Sequence, residues 1–420
     1  MWRSIFGNFG VRVLSALLNL GLVILFSQVG GLIGKGEQSL LLTTVAILTI
    51  FDALIGGASL VNFSSKYAWR TLLTTSYIWI ILMTAFAGLG FWLFSVFEPV
   101  YLGNVLMISI LSAVVAVHTS LLLGQKRFFA YNFIQLSIPL ITLLVCLFQY
   151  FLKGVLIYEI ALYIAYGFAF LSSCYLVCKH YPKSNRVVEQ FWFLFKKLLT
   201  YGTFNQLAHV FQLLSFRAAF YFLEFFHGKG TVGLYSNASS LSESVWLIAT
   251  SISLWQYAVI SNSDDRHYTI QLTQKLAAFG MTAAFFACLL LVLLPSSFYG
   301  FIFGSDFSSL HSIMWLLAPG CWIFSYALIV GHYFSGHGRY HINALASGFG
   351  LVISILGAFV LIPDFKAAGA AIAASLSYFV TSFVVFWYFH KDGGKVLFFP
   401  KKEDWKELQL QLFQLFRQNK

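Results

Sequence analysis

Four ionisable residues interrupt long apolar runs: Arg12, Asp52, Arg217 and Glu243. Charge in such surroundings is costly, and it is kept where it faces a partner or a wet cavity. A guanidinium placed there can grip the oxygens of a phosphate or diphosphate in parallel. A carboxylate can neutralise that guanidinium, or carry a coupling proton or sodium ion. The four fall into two sets, a base and then an acid on the next apolar run: Arg12 with Asp52, and Arg217 with Glu243. A plainer reading is that each pair only ties two helices together. Asn19, Asn62, Gln206, Asn237 and Gln256 are polar candidates for lining a path, and interhelical hydrogen bonding would equally account for them.

Other constellations lack the parts their chemistry needs. His332, His337 and His341 have no carboxylate partner and no HExxH spacing. Cys174 and Cys178 share a helical face inside an apolar run, which suits packing. Asp264 and Asp265 are adjacent, not spaced as in a nucleotide-sugar site, and no glycine-rich phosphate loop occurs. No catalytic residue, metal or cofactor is therefore expected, apart from a proton or sodium gradient acting through the acids.

The elements that must position these groups follow from composition. Of 420 residues, 59% are hydrophobic and 10% charged, where soluble domains carry about 25% charged. At about 20 apolar residues per crossing, twelve spans fit: 9–29, 39–61, 71–94, 100–123, 133–152, 155–177, 204–225, 232–260, 276–294, 313–333, 342–361 and 367–389. Helices are required, because lipid offers no partner to an open backbone and no barrel-like alternation is present. With the N-terminus inside, 21 of the 26 Lys and Arg fall on the inner side, while Lys35, Lys153, Lys229 and Lys366 fall outside. The net charge of +11 is thus a topology signal, and no nucleic-acid partner is expected.

The expected fold is all-α and polytopic, with about twelve transmembrane helices in two six-helix lobes around a central cavity. Residues 1–186 form the first lobe. Residues 187–395 hold a cytoplasmic surface linker helix and the second lobe, and 396–420 an amphipathic cytoplasmic tail. Pro363 is expected to close the penultimate helix, and Arg339 to anchor the inner turn GHGRYH.

Four stretches then carry a resemblance: GKGEQSLLLTTVAILTIFDALIGGASLVNF (34–63), LLLGQKRFFAYNFIQ (121–135), 233–265 beginning GLYSNASSLSES, and 336–380 beginning GHGRYHINALASGFG. In order and placement they resemble polysaccharide flippases of the multidrug/oligosaccharidyl-lipid/polysaccharide exporter superfamily, most of all those of Bacteroidetes-type capsule or O-antigen loci. That resemblance implies a monomeric carrier in the bacterial inner membrane, and the basic bias over twelve spans places both termini on the cytoplasmic side. Its substrate would be undecaprenyl-diphosphate-linked oligosaccharide, and its associates a polysaccharide polymerase and chain-length machinery. Two alternatives stay open: a drug/cation exporter of the same superfamily, and a membrane polysaccharide polymerase. A major-facilitator carrier fits less well, because the loop NFSSKYAWR lacks that family's D-R-x-G-R-like run.

Overall fold

A computed structural model describes residues 2–93, 98–154, 156–182, 190–263 and 265–400, and leaves the side chains of 2–9, 12, 153, 204, 205 and 258 outside the described set. The tail after Pro400, most of the linker before Gln190, and Asp264 lie outside the described residues. The helices are α1 (Trp2–Gly56), α2 (Ala58–Phe63), α3 (Trp69–Leu93), α4 (Pro99–Gly124), α5 (Phe128–Lys153) and α6 (Tyr158–Lys179). They continue as α7 (Phe191–His227), α8 (Lys229–Ile260), α9 (Arg266–Leu293), α10 (Ser296–Phe303), α11 (Leu310–Gly336) and α12 (Tyr340–Lys391). No strand occurs among the described residues.

Two of these helices each make two crossings. At 55 and 52 residues, α1 and α12 would run to about 80 Å if straight, far beyond a hydrocarbon core of about 30 Å. Each breaks near its middle. Gly31 takes φ 60° in α1, a conformation open to a residue without a Cβ. In α12 the break falls at Lys366, φ 52°, not at Pro363 as the sequence suggested. The limbs of α12 then run antiparallel: Ser377 Oγ donates to the Gly350 carbonyl at 2.8 Å, and Gly357 packs on Ala373. With single crossings by α3–α9 and α11, the chain spans the membrane about twelve times.

Eight helices are long and apolar enough to be span candidates on hydropathy alone, counting α1 and α12 once each. The two long helices missing from that group are α7 and α8, the pair that carries Arg217, Glu243 and a run of serines. Large rings such as Phe86, Phe129, Phe151 and Phe225 stand more than three-quarters exposed around the perimeter, a surface stable only against lipid.

Helices α1–α6 build one lobe and α7–α12 the other, each with its own core. The expected separation of linker helix and seventh span is replaced by continuity: α7 is one helix of 37 residues. Its first turns belong to the opposite lobe. Leu194 and Leu198 are fully buried in the first lobe's core, and Lys197 Nζ donates to the Tyr67 hydroxyl at 2.6 Å. A helix that is apolar on that face docks there, while Trp192 and Phe193 on its other side stand exposed.

The lobes meet mainly through α1 and α8, at the end holding Gly31 and Gly228. A Cβ on Gly36 would meet the Lys229 carbonyl oxygen at 1.9 Å, and one on Gly233 the Leu32 carbonyl oxygen at 2.0 Å. Asn237 Nδ2 donates to Ser27 Oγ at 2.7 Å, and Gln28 Nε2 to the Ile302 carbonyl at 2.7 Å. Lys35, expected in an outer loop, is instead buried within this seam, 3% exposed, because α1 continues through residues 32–56 without a loop. At the opposite, basic end, Asp392 accepts from Arg266 Nη2 at 2.8 Å, from Arg339, and from the Tyr333 hydroxyl at 3.2 Å. Arg339 thus anchors its turn through Asp392, holding α9, α11 and α12 together.

Gly36→Val is expected to pry α1 from α8, since a branched side chain forced against a carbonyl costs about 1–3 kcal/mol. A thiol introduced by Ser27→Cys, buried in the parent, should then react with a membrane-impermeant maleimide several-fold faster. Unchanged labelling would show that the glycine contact does not hold this end shut.

Candidate functional site

Arg217 and Glu243 meet across α7 and α8. Arg217 Nη1 lies 2.8 Å from Glu243 Oε1, and Nη2 donates to Oε2 at 3.0 Å, a two-pronged grip. Ser239 Oγ, one turn before the acid, donates to Glu243 Oε1 at 3.1 Å. The guanidinium lies 5.4 Å from the Phe220 ring centroid, a favourable cation–π geometry. Beneath the pair, Phe216, Trp246, Phe324 and Tyr378 form a box with centroids 4.8–5.6 Å apart. Trp246 Nε1 is held by the Cys321 carbonyl at 2.9 Å. The side chains of the pair are 21% and 30% accessible.

A second cation enters from the other lobe. Lys35 Nζ donates to Gln38 Oε1 at 2.7 Å, and its charge acts on Arg217. Lys35 on α1 thus joins the Arg217–Glu243 pair of α7 and α8 at the lobe seam, where Lys229 also pairs with Glu37. The sequence hid Lys35 because GGLIGKGEQ has the composition of a loop. The one available signal was that apolar periodicity resumes at Leu40 with no polar interval long enough for a turn.

The expected partnership of Arg12 with Asp52 falls partly outside the described residues. Arg12 lies on α1, its side chain outside the described residues. Asp52 is 4% exposed, and its Oδ1 has no hydrogen-bond partner among the described residues. The two base–acid sets also sit at different depths. Arg12 and Asp52 stand 19 and 21 residues from Gly31, about 30 Å along their helices, whereas Arg217 and Glu243 stand 11 and 15 from Gly228, about 20 Å.

Between the lobes, toward the basic end, lies a cavity of about 820 Å³. Its walls come from α1 (Val11–Leu22), α5 (Tyr131–Thr142) and α8 (Leu247–Ile252), with Tyr158 and Tyr166 of α6. Leu247 follows Glu243 by four residues and shares its helical face, so the ion pair sits one turn beyond the cavity wall. Asn19 lines this cavity. Gln206 lines a second one, of about 300 Å³, inside the other lobe. Asn62 sits half-buried on α2. Asn237 and Gln256 face neither space. Both are fully buried, bonded to Ser27 and Thr273.

Removing Glu243 takes away the acid that pairs Arg217, with Lys35 close enough to feel the guanidinium. Glu243→Ala should therefore destabilise the detergent-solubilised protein by about 1–3 kcal/mol, a buried-pair penalty reduced for partial exposure, and by more than Arg217→Ala. Adding Lys35→Met to Glu243→Ala should recover much of the loss in a thermal melt. No recovery would mean that the two cations do not interact.

No protein-family model matches the chain. Over 172 residues, 40% of this chain, the sequence is 25% identical to the capsular polysaccharide biosynthesis protein CapF of Staphylococcus aureus, and that stretch spans 43% of the relative's length. Among solved structures, the lipid II flippase MurJ in an inward closed conformation is similar with TM-score 0.73 at 14% identity, covering 91% of this chain and 88% of that one. An inward-facing multidrug resistance MATE family transporter of the MOP superfamily gives 0.65 at 12% identity, covering 90% and 94%. A Bacteroidetes origin gains no support from these comparisons. At such identities the likeness is one of fold: this multi-pass membrane protein has the architecture shared by lipid-linked flippases and MATE transporters.

Proposed function

We propose that this protein is a flippase that turns undecaprenyl-diphosphate-linked oligosaccharide from the cytoplasmic to the periplasmic leaflet by alternating access, for O-antigen or capsule synthesis. The observation that carries the reading is the forked guanidinium of Arg217, held by Glu243 with Lys35 nearby, one turn beyond a cavity of about 820 Å³ between the lobes. A diphosphate headgroup is too polar to cross hydrocarbon unaided. It needs a wet path with cations at a fixed depth, and Arg217 offers the forked donor that suits phosphate oxygens. The similarity in fold to the MurJ flippase and the partial likeness to CapF support the same substrate class. MATE transporters share the fold, but an arginine kept among the spans favours an anionic substrate over a cationic drug.

On this reading the basic end faces the cytoplasm, both termini are cytoplasmic, and the protein works in the inner membrane as a monomer beside a polymerase and chain-length machinery. Residues 1–186 and 187–395 are the two rocking lobes, and 396–420 is a surface tail. Asp52 and Glu243 are the positions at which a proton or sodium ion would couple.

Arg217→Ala should reduce surface polysaccharide by about ten-fold or more at matched abundance, and Arg217→Lys should restore it only in part, since an ammonium is a point charge without the fork. Full activity in Arg217→Ala/Glu243→Ala would reduce the pair to a cross-link. Reporters fused after Arg186 and after Phe389 should read as cytoplasmic and one near Asp306 as external. A periplasmic C-terminus would overturn the assigned direction.

A further inference from the structure

The smaller cavity, about 300 Å³, lies wholly on the basic-end side of the second lobe, between α7, α8, α11 and α12, with Ala58 of the first lobe at its rim. Its volume is at the lower bound of small-ligand pockets, about 300 Å³. No Lys, Arg, Asp or Glu lines it, so it is built for neither an anion nor a cation. It is not apolar either. Gln206, His209, Gln212, His332 and Asn343 converge on it from three helices.

The hydrogen-bonding capacity of these groups is largely unspent. Among the described residues, the side chains of Gln206, His209 and Gln212 have no protein partner. Asn343 Nδ2 donates to the Gly331 carbonyl at 2.8 Å and to Ser335 Oγ at 2.9 Å, which fixes the amide and leaves Oδ1 buried without a donor. His332 Nδ1 lies 2.8 Å from the Leu328 carbonyl. A carbonyl only accepts, so Nδ1 carries the proton and Nε2 of the neutral ring is left as an acceptor. Tyr257 stands edge-on to His332, centroids 6.3 Å apart, with 36% of its surface open. A buried polar atom left unpaired costs about 1–3 kcal/mol, which a polar occupant would relieve at Asn343 Oδ1, while the half-buried Gln206 and Gln212 and the exposed His209 stay open to one.

We propose that this pocket is a carbohydrate subsite, taking a neutral sugar residue of the lipid-linked headgroup while the diphosphate occupies the Lys35–Arg217 seam. The ligand class follows from the lining: mixed donors and acceptors at fixed positions, an exposed aromatic face, and no charge. Gln212 lies five residues from Arg217 on α7, about 8 Å along the axis, so sugars close to the diphosphate reach it. The proposal rests on the flippase reading for the source of the sugar, and on the pocket alone for its chemistry.

The test uses His209→Ala/Gln212→Ala, which removes two groups that hold no part of the fold. Purified full-length protein in proteoliposomes is given undecaprenyl diphosphate bearing a neutral trisaccharide, or undecaprenyl diphosphate without sugar. The double variant should slow leaflet transfer of the glycosylated lipid about ten-fold, as loss of two modest hydrogen bonds implies, and leave the bare lipid within about two-fold. Equal loss on both lipids, or no loss on either, overturns the subsite. If the parent protein moves neither lipid, the flippase reading fails and a second measurement decides the pocket. Thermal melts with free maltotriose or chitotriose should show a saturable rise in the parent that the double variant lacks. Absence of that rise in the parent overturns the subsite.

Discussion

The close approach of α1 and α8 at Gly36 and Gly233 is the contact on which the rest of the structure depends. Two helix backbones meet there with no side chain between them, so one end of the lobe seam is drawn tight. Helices held together at one end diverge toward the other, and the cavity of about 820 Å³ lies on that other side. The seam also sets the electrostatics. Drawing α1 down on α8 carries Lys35 into the interior, where it shares its surroundings with Arg217. A bulkier residue at either glycine would displace both the closure and the charge.

Lipid imposes the second constraint. Nothing drives apolar helices together in hydrocarbon, so packing rests on small residues and on hydrogen bonds across helices. The second lobe shows both. Ala367, Ala370, Ala371 and Ala374 are buried along one limb of α12, and Gly320 of α11 rests on Ser375. Ser375 Oγ donates to the Leu316 carbonyl at 2.5 Å, and Ser354 Oγ to the Ser215 carbonyl at 2.8 Å. This tight shell lets the lobe carry polar cavities without collapsing into them.

Helix count and lobe division were legible in the sequence, because apolar runs and basic loops leave a strong imprint. Turn geometry was less so. Residues 30–38 read as a loop on composition, yet their glycines permit a break at Gly31 alone and close contact at Gly36. Pro363 pointed to a helix end that the chain places three residues later, since proline fixes its own φ and not the point of reversal. The pairing of Arg217 with Glu243 was readable from adjacent spans. That Asp52 Oδ1 meets no partner among the described residues was not, because an unmet hydrogen bond is a property of three-dimensional neighbours. The polar pocket around Asn343 and His332 was hidden for the same reason: its members are spread over four helices.

Which bonds cross between lobes decides what a change of conformation must break. The basic-end cluster around Asp392 joins helices of one lobe, and Arg217–Glu243 also lies within that lobe, so both survive rigid-body rocking. The bonds that cross the seam are weaker. Lys229–Glu37, at 3.0 Å, has side chains 48% and 53% exposed, a class of pair worth little in stability. Gln28 adds two hydrogen bonds, Asn237 and Thr44 one each, and the glycine contacts add dispersion. Against these stands the cost of burying Lys35 of one lobe beside Arg217 of the other. Under the flippase reading, an anion bound beside them would offset that cost and favour the tight seam, and its release would favour opening. Under the flippase reading, the same charges that recognise a diphosphate thereby bias the equilibrium between the two orientations, since a ligand shifts a conformational balance only through its unequal affinity for the two states.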